Sequence, residues 1–214
     1  PNIQQGMREI LGYAPIEPDG SVRVKVPANV ALAISVLDQN GRRITARHQN
    51  WLQVIPGQEL KCNGCHAPAV APAVTLSHGR SNAFNAAYAG APSTGVPFRN
   101  SVSTFSPDAG ETMAETRTRV SCQTNCAALV PSLDVKFDDV WTDSAVATPA
   151  ASFSYLYTNL ITPAPVNTNC IAKWAPSCRI EINYETHIHP LWKALRQVID
   201  PMTMTVLADH TCSQ

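Results

Sequence analysis

The chain lacks an excess of charge of either sign. Lysine plus arginine and aspartate plus glutamate number 16 each among 214 residues. A nucleic-acid surface needs a clustered basic excess, so no nucleic-acid partner is expected. Charged residues make up only 15% of the chain against 44% hydrophobic ones, which is the wrong balance for a disordered protein. No apolar run reaches the roughly 18 residues that a membrane-crossing helix requires, so no transmembrane segment is expected. The opening PNIQQGMREI has neither an initiator methionine nor a basic-then-apolar leader. The chain is expected to be a mature form or an internal piece of something longer. Glycine is scarce too: ten glycines stand against 17 prolines, a balance that predicts long ordered loops rather than a helical bundle.

What is present is enough chain for one large or two small domains with a real core, and seven cysteines: Cys62, Cys65, Cys122, Cys126, Cys170, Cys178 and Cys212. An odd number leaves one thiol free or parted from its partner. Residues 20–55 alternate as strands do, with Val22, Val24 and Val26 between polar neighbours. A second apolar run spans Ala31 to Leu37, and DQNGRR supplies a hairpin-type turn. This opening resembles small β-sandwich modules. From residue 67 to about 180 the chain reads as loop, with SLDVKFDDVW and SFSYLYTNLI as candidate strands. So long a loop needs another source of order, such as a prosthetic group or disulfides. NYETHIHPLWKALRQVID, residues 183–200, is the best helix candidate, with Ile188, Leu191, Trp192, Leu195 and Val198 at helical spacing, Pro190 near the first turn, and Pro201 as its stop. The expected fold is mainly β: a sandwich-like part at 1–60, a loop-rich part at 61–182 that holds the cofactor, and a further domain starting at 183–214.

KCNGCHAPAV, residues 61–70, contains C-x-x-C-H. In a c-type heme site two thiols add across the vinyl groups and the adjacent histidine reaches the iron. The spacing brings both thioethers and the imidazole to one rigid macrocycle. Three rivals exist. A thioredoxin-type pair wants a βαβ setting, and the proline-rich flank does not resemble one. A zinc site wants a second ligand pair at recognisable spacing. A plain disulfide between Cys62 and Cys65 is sterically awkward outside redox motifs. Heme c, joined through Cys62 and Cys65, is the reading that the five residues favour.

RHQNWLQVIPGQELKCNGCH, together with SHGR, YAGAPSTGVPF, SPDAGETMAETRTR and INYETHIHPLW, resembles the hydrazine synthase alpha-subunit-like multidomain c-type cytochromes. These are secreted bacterial proteins in which a propeller-like region precedes a heme-bearing middle domain and a cytochrome c-like end. The resemblance covers nearly the whole chain and implies the middle domain, a periplasmic or extracellular location, and a redox partner or adjacent heme domain. It also implies a source for the odd cysteine. HTCSQ looks like the opening of a second heme motif, which makes Cys212 an orphan of truncation; a free terminal thiol is the plain alternative. In a protein matured outside the cytoplasm the remaining four cysteines are expected as disulfides, with Cys122–Cys126 and Cys170–Cys178 the favoured one of three pairings.

In the family's enzyme a tyrosine shortly after the motif, rather than the motif histidine, binds iron. Here the corresponding APAVAP has no tyrosine. His66 is therefore expected to ligate iron, and the family's zinc site is not carried over. His78 in LSHGR is the favoured distal ligand, close enough for a loop to fold over the ring. Met113 and His187 are the alternatives, with His48, His189 and His210 behind them. Arg80, Arg117 and Arg119 are candidate propionate partners or simply solvated. Trp51, Phe84 and Tyr88 are candidate porphyrin neighbours or ordinary core. Asp138, Asp139, Asp143 and Glu111 cluster only in sequence and suggest no acid/base pair. Three functions follow: electron transfer within a larger secreted multiheme protein if both axial positions are filled; a heme enzyme acting on a small nitrogen- or oxygen-containing molecule if one is open; or a domain whose heme mainly stabilises its loops.

Overall fold

The computed structural model describes residues 9–44, 51–62, 90–122 and 129–212. Within them lie α1 (Met113–Ser121), β1 (Val135–Phe137), β2 (Phe153–Tyr155), α2 (Thr168–Ala172), α3 (His189–Trp192), β3 (Gln197–Ile199) and β4 (Val206–Asp209). β1 pairs with β2, and β3 pairs with β4. Helix content is low, both sheets are small, and both candidate strands of the loop-rich part are real. The chain divides into two compact units: one of Ala14–Val130 and Phe137–Phe153, the other of Pro1–Tyr13, Pro131–Lys136 and Ser154–Gln214.

The first unit is organised around α1, where the composition predicts only loop. Its local signal is Thr112-Met-Ala-Glu115, a capping box: the Thr112 hydroxyl accepts from Glu115 N–H, and the Glu115 carboxylate accepts from Thr112 N–H. The next orphan donors are met from far away in sequence. Asp19 accepts from Met113 N–H and Ser21 from Ala114 N–H, each at 2.9 Å. With the first-turn donors satisfied, a short helix of weak amphipathicity holds. The valine alternation before it gives extended chain held by single bridges, Leu32↔Leu52 and Leu37↔Arg43, rather than laddered strands. The reason is that this segment turns its polar groups to α1 and to Leu129 O, which accepts from Lys25 N–H at 2.7 Å. The DQNGRR turn forms as expected, closed by Asp38, whose carboxylate accepts from Asn40 and Arg42 N–H.

The core of this unit is Trp141, 1% exposed. Phe98 meets it edge-on at 5.7 Å, and Phe105 lies tilted against it at 4.7 Å. Its indole N–H donates to Glu17 at 2.6 Å, and Glu17 also accepts from Arg117 on both oxygens, at 2.9 and 3.2 Å. A buried carboxylate is thus matched by a guanidinium and an indole donor.

Glu111 ties the loop before α1 to its last turn. A two-pronged hydrogen bond from Arg119 is the largest influence holding its carboxyl at about 2, below its ordinary 4.5; partial burial opposes, while Asp108 N–H and the Thr116 hydroxyl assist. A folded value below the unfolded one contributes stability that is complete above about pH 4.5 and is lost as pH falls toward about 2. The acid limb of a denaturation-midpoint profile is expected to soften in Glu111→Gln, with little change at pH 7 in its slope. A profile identical to the parent's would show that this carboxylate does not contribute.

In the second unit Cys170 and Cys178 form the expected disulfide. It closes a short loop, which in the chain-entropy picture contributes about 2–3 kcal/mol. Cys178 and Ile180 are buried, and Ile10 bridges to Ile180 as Tyr13 does to Ser132. Gly12 sits between these bridges, where a Cβ would lie 2.7 Å from Pro131 Cβ and 3.2 Å from the Trp174 ring.

The helix predicted over 183–200 is cut short. A π-helical turn runs from Tyr184 to Ile188, α3 ends at Trp192, and residues 197–199 are strand. Pro190 has no N–H to offer Thr186 O, and the i→i+5 bond from His189 N–H to Tyr184 O takes the place of regular helix bonding. Further on, Val198 and Ile199 are β-branched and pair with Ala208 and Val206 across a bulge. The Asp200-Pro201 turn closes the hairpin, with Asp200 accepting from Met202 and Thr203 N–H.

Candidate functional site

Cys62 ends a described segment that is pinned along its length. Leu52 and Leu32 exchange both backbone bonds, at 2.7 and 2.8 Å, and Asn29 N–H donates to Val54 O. Glu59 pairs with Arg23 at 3.2 Å, and Lys61 with Glu115 of α1 at 2.8 Å. The residue immediately before the first motif cysteine is thus tied to the first turn of the only long helix of this unit's described residues. The chain returns to the same place. Ala91 N–H donates to Glu111 O and Gly110 N–H to Ala91 O, at 2.9 and 2.8 Å. At Gly90, φ is +82°, and a Cβ there would fall on the Gly110 carbonyl. Both flanks of residues 63–89 are therefore anchored within Gly110–Glu115.

The Cys62 thiol is exposed and outside any disulfide. Partial burial of its sulfur raises its pKa. A redox-active cysteine has the opposite tendency, set by a helix N-terminus or a neighbouring cation; the neighbouring cation here, Lys61, faces Glu115. A reduced, accessible thiol is what thioether formation requires. Cys65, His66 and His78 lie outside the described residues, as do Cys126, His48, Arg80, Phe84 and Tyr88.

Met113 begins α1 and is 7% exposed; with Trp141 and Arg99 it lines a small cavity of about 220 Å³. His187 belongs to the second unit, where its Nδ1 accepts from Asn183 N–H at 2.8 Å. A neutral imidazole that accepts at Nδ1 carries its proton on Nε2, so iron ligation through Nε2 would cost this hydrogen bond. His189 lies beside the Tyr184 ring, and His210 N–H donates to Arg196 O. Trp51 is 47% exposed. Cys122 follows α1 and is half-buried. The Cys212 sulfur accepts from the Arg196 guanidinium at 2.9 Å.

The arginines and acids resolve into internal ties. Arg117 holds Glu17, while Arg119 holds Glu111, Asp108 and the Ser106 carbonyl. Asp139 is the hub of its own loop. Partial burial raises its carboxyl, but hydrogen bonds from the Thr142 hydroxyl and from Ala150, Thr142 and Trp141 N–H outweigh it and bring the value to about 2. Asp138 accepts from Ser152 and Asp143 from Ala145 N–H. None of these carboxylates is arranged as an acid/base pair. Among the described residues, no group of three His, Cys, Asp or Glu side chains converges as a metal would require, and no helix is long and apolar enough to cross a membrane.

The capping box and the pinned flanks were missed from sequence alone. Thr112-x-x-Glu115 is a visible local signal; the ties of Lys61 to that turn and of Ala91 to the loop before it have none. No curated protein and no solved structure matches the chain. The family model of the hydrazine synthase alpha subunit middle domain does match, over residues 1–67, a span that closes on Cys62, Cys65 and His66.

Proposed function

We propose that this chain is a c-type cytochrome domain with one heme joined through Cys62 and Cys65, His66 on the iron and His78 opposite. Its role is electron transfer within a larger secreted multiheme protein, in the periplasm or outside the cell, with an adjacent heme domain or redox protein as partner. The observation that carries this reading is the exposed Cys62 thiol, opening C-x-x-C-H at the end of a segment fixed to α1. The likeness of residues 1–67 to a hydrazine synthase middle domain supports it, and the Cys170–Cys178 disulfide fits an oxidising compartment. Heme supplies a one-electron couple between ferric and ferrous iron. The chain's own part is to hold the attachment point: Lys61 and Glu115 fix the approach, and Gly90 and Ala91 fix the return.

The same family likeness supports a second reading, a heme enzyme acting on a small nitrogen- or oxygen-containing molecule. The two differ at the sixth iron position. The full chain, matured in a periplasm that attaches heme, is expected to show a Soret band that survives denaturation and a mass raised by one heme. Cys62→Ser and Cys65→Ser are each expected to remove most of it. A low-spin ferric spectrum that turns high-spin in His78→Ala supports electron transfer. A high-spin spectrum that shifts on adding cyanide supports the enzyme. Colourless protein at the bare polypeptide mass overturns both.

A further inference from the structure

The second unit contains a cavity of about 510 Å³, within the size range of small-molecule sites. Trp174 and Tyr157 supply aromatic walls, and Leu133, Leu160 and Ile171 supply aliphatic ones. Its two charges cancel: the Asp134 carboxylate faces the Lys136 ammonium at 3.1 Å and also accepts from Tyr157 N–H at 3.0 Å. An ionic ligand therefore meets no net charge. The polar groups with capacity left include several donors. The Trp174 indole N–H has no hydrogen-bond partner among the described residues, and Lys136 bonds only to Asp134 there. The Ser132 hydroxyl accepts from Asp134 N–H and so keeps its own proton to donate. A site that is neutral, rich in donors and aromatic on its walls suits a ligand with many oxygens and one apolar face.

We propose that this cavity binds a saccharide, the C–H face of a sugar ring lying on the aromatic walls and its oxygens accepting from Trp174, Ser132 and Lys136. The walls are held by chain connectivity. Cys170, Ile171 and Trp174 all belong to the loop that the Cys170–Cys178 disulfide closes. Tyr157 is fixed by its hydroxyl, 2.8 Å from that of the buried Thr162. The disulfide is thus a positioning device, and the site is organised before ligand arrives.

The test is calorimetric titration of the full chain with glucose, N-acetylglucosamine, cellobiose and maltose, and retardation in native gels containing laminarin or xylan. The first arm reads free sugars and the second reads a polymer. At least one probe is expected to bind with roughly millimolar or tighter affinity. Trp174→Ala is expected to weaken it about tenfold or more, since stacking and a hydrogen bond go together. Because Trp174 packs beside Gly12, a second variant guards against misfolding. Leu160→Trp, at a rim position 44% exposed, is expected to fill the cavity and abolish binding with the unfolding midpoint unchanged. The double variant Cys170→Ser/Cys178→Ser is expected to bind more weakly than the parent. Parent protein that binds none of these probes, that binds benzoate in their place, or that binds them unchanged after Leu160→Trp, overturns the proposal.

Discussion

Glu17→Gln is expected to destabilise the first unit by about 3 kcal/mol, the lower end of what breaking a buried ion pair costs. The replacement keeps the shape and changes one oxygen into an NH2 group. Both Glu17 oxygens already accept: Oε1 from Arg117, and Oε2 from Arg117 and from the Trp141 indole. Whichever way the amide turns, its NH2 meets a donor. Arg117 loses its counter-charge while only 24% exposed, and that remaining access to water keeps the cost from reaching the upper end. Glu59→Gln is the comparison. Its partner Arg23 is 38% exposed and Glu59 itself 65%, so the change is expected to stay within about 1 kcal/mol. Urea denaturation of both variants reads the difference directly. Equal midpoints would mean that the network beneath Trp141 does not hold this unit together.

Gly90→Ala is the second large effect. Gly90 and Gly95 have almost the same φ, +82° and +78°, so alanine at either meets a left-handed penalty of roughly 1–2 kcal/mol. Only at Gly90 does the new Cβ fall on backbone, the Gly110 carbonyl; at Gly95 nothing lies within 4 Å. A carbonyl fixed by its neighbours cannot move aside as a side-chain tip can. Separating the two segments would also break the paired bonds between Ala91 and Gly110–Glu111. Gly90→Ala is expected to lose about 3 kcal/mol or more, roughly 6–12 °C in the thermal midpoint of a chain this size, and Gly95→Ala about a third of that. The same variant bears on the heme reading, because Gly90 is the first described residue after the motif-bearing segment. Its heme content is expected to fall along with its stability. Loss of stability with full heme content would separate the anchor from attachment.

The features legible in the sequence are those decided by neighbouring residues. The DQNGRR turn is closed by Asp38 on donors two and four positions ahead. The Cys170–Cys178 bridge spans eight positions. The strands in SLDVKFDDVW and SFSYLYTNLI follow from their alternation. The capping box of α1 was equally local, though composition argued for loop and hid it. The helix predicted over 183–200 fails for a local reason: Pro190 lies beyond the first turn, and apolar spacing cannot restore the hydrogen bond that it removes. Tertiary structure alone decided the rest. Trp141 and Arg117 find Glu17 across 124 and 100 positions, and Lys61 finds Glu115 across 54. Such pairs leave no period or spacing in the chain, because they depend on which surfaces the loops bring together. What the sequence determined by itself is the chemistry carried by adjacent residues: a C-x-x-C-H run, a short disulfide loop, turns and caps. What folding added is support. It fastened the two flanks of the motif-bearing segment to the start of α1, Lys61 to its first turn and Ala91 to the loop just before it, and paired a buried carboxylate with Arg117 of that helix, since only the folded chain brings groups so far apart within hydrogen-bond distance.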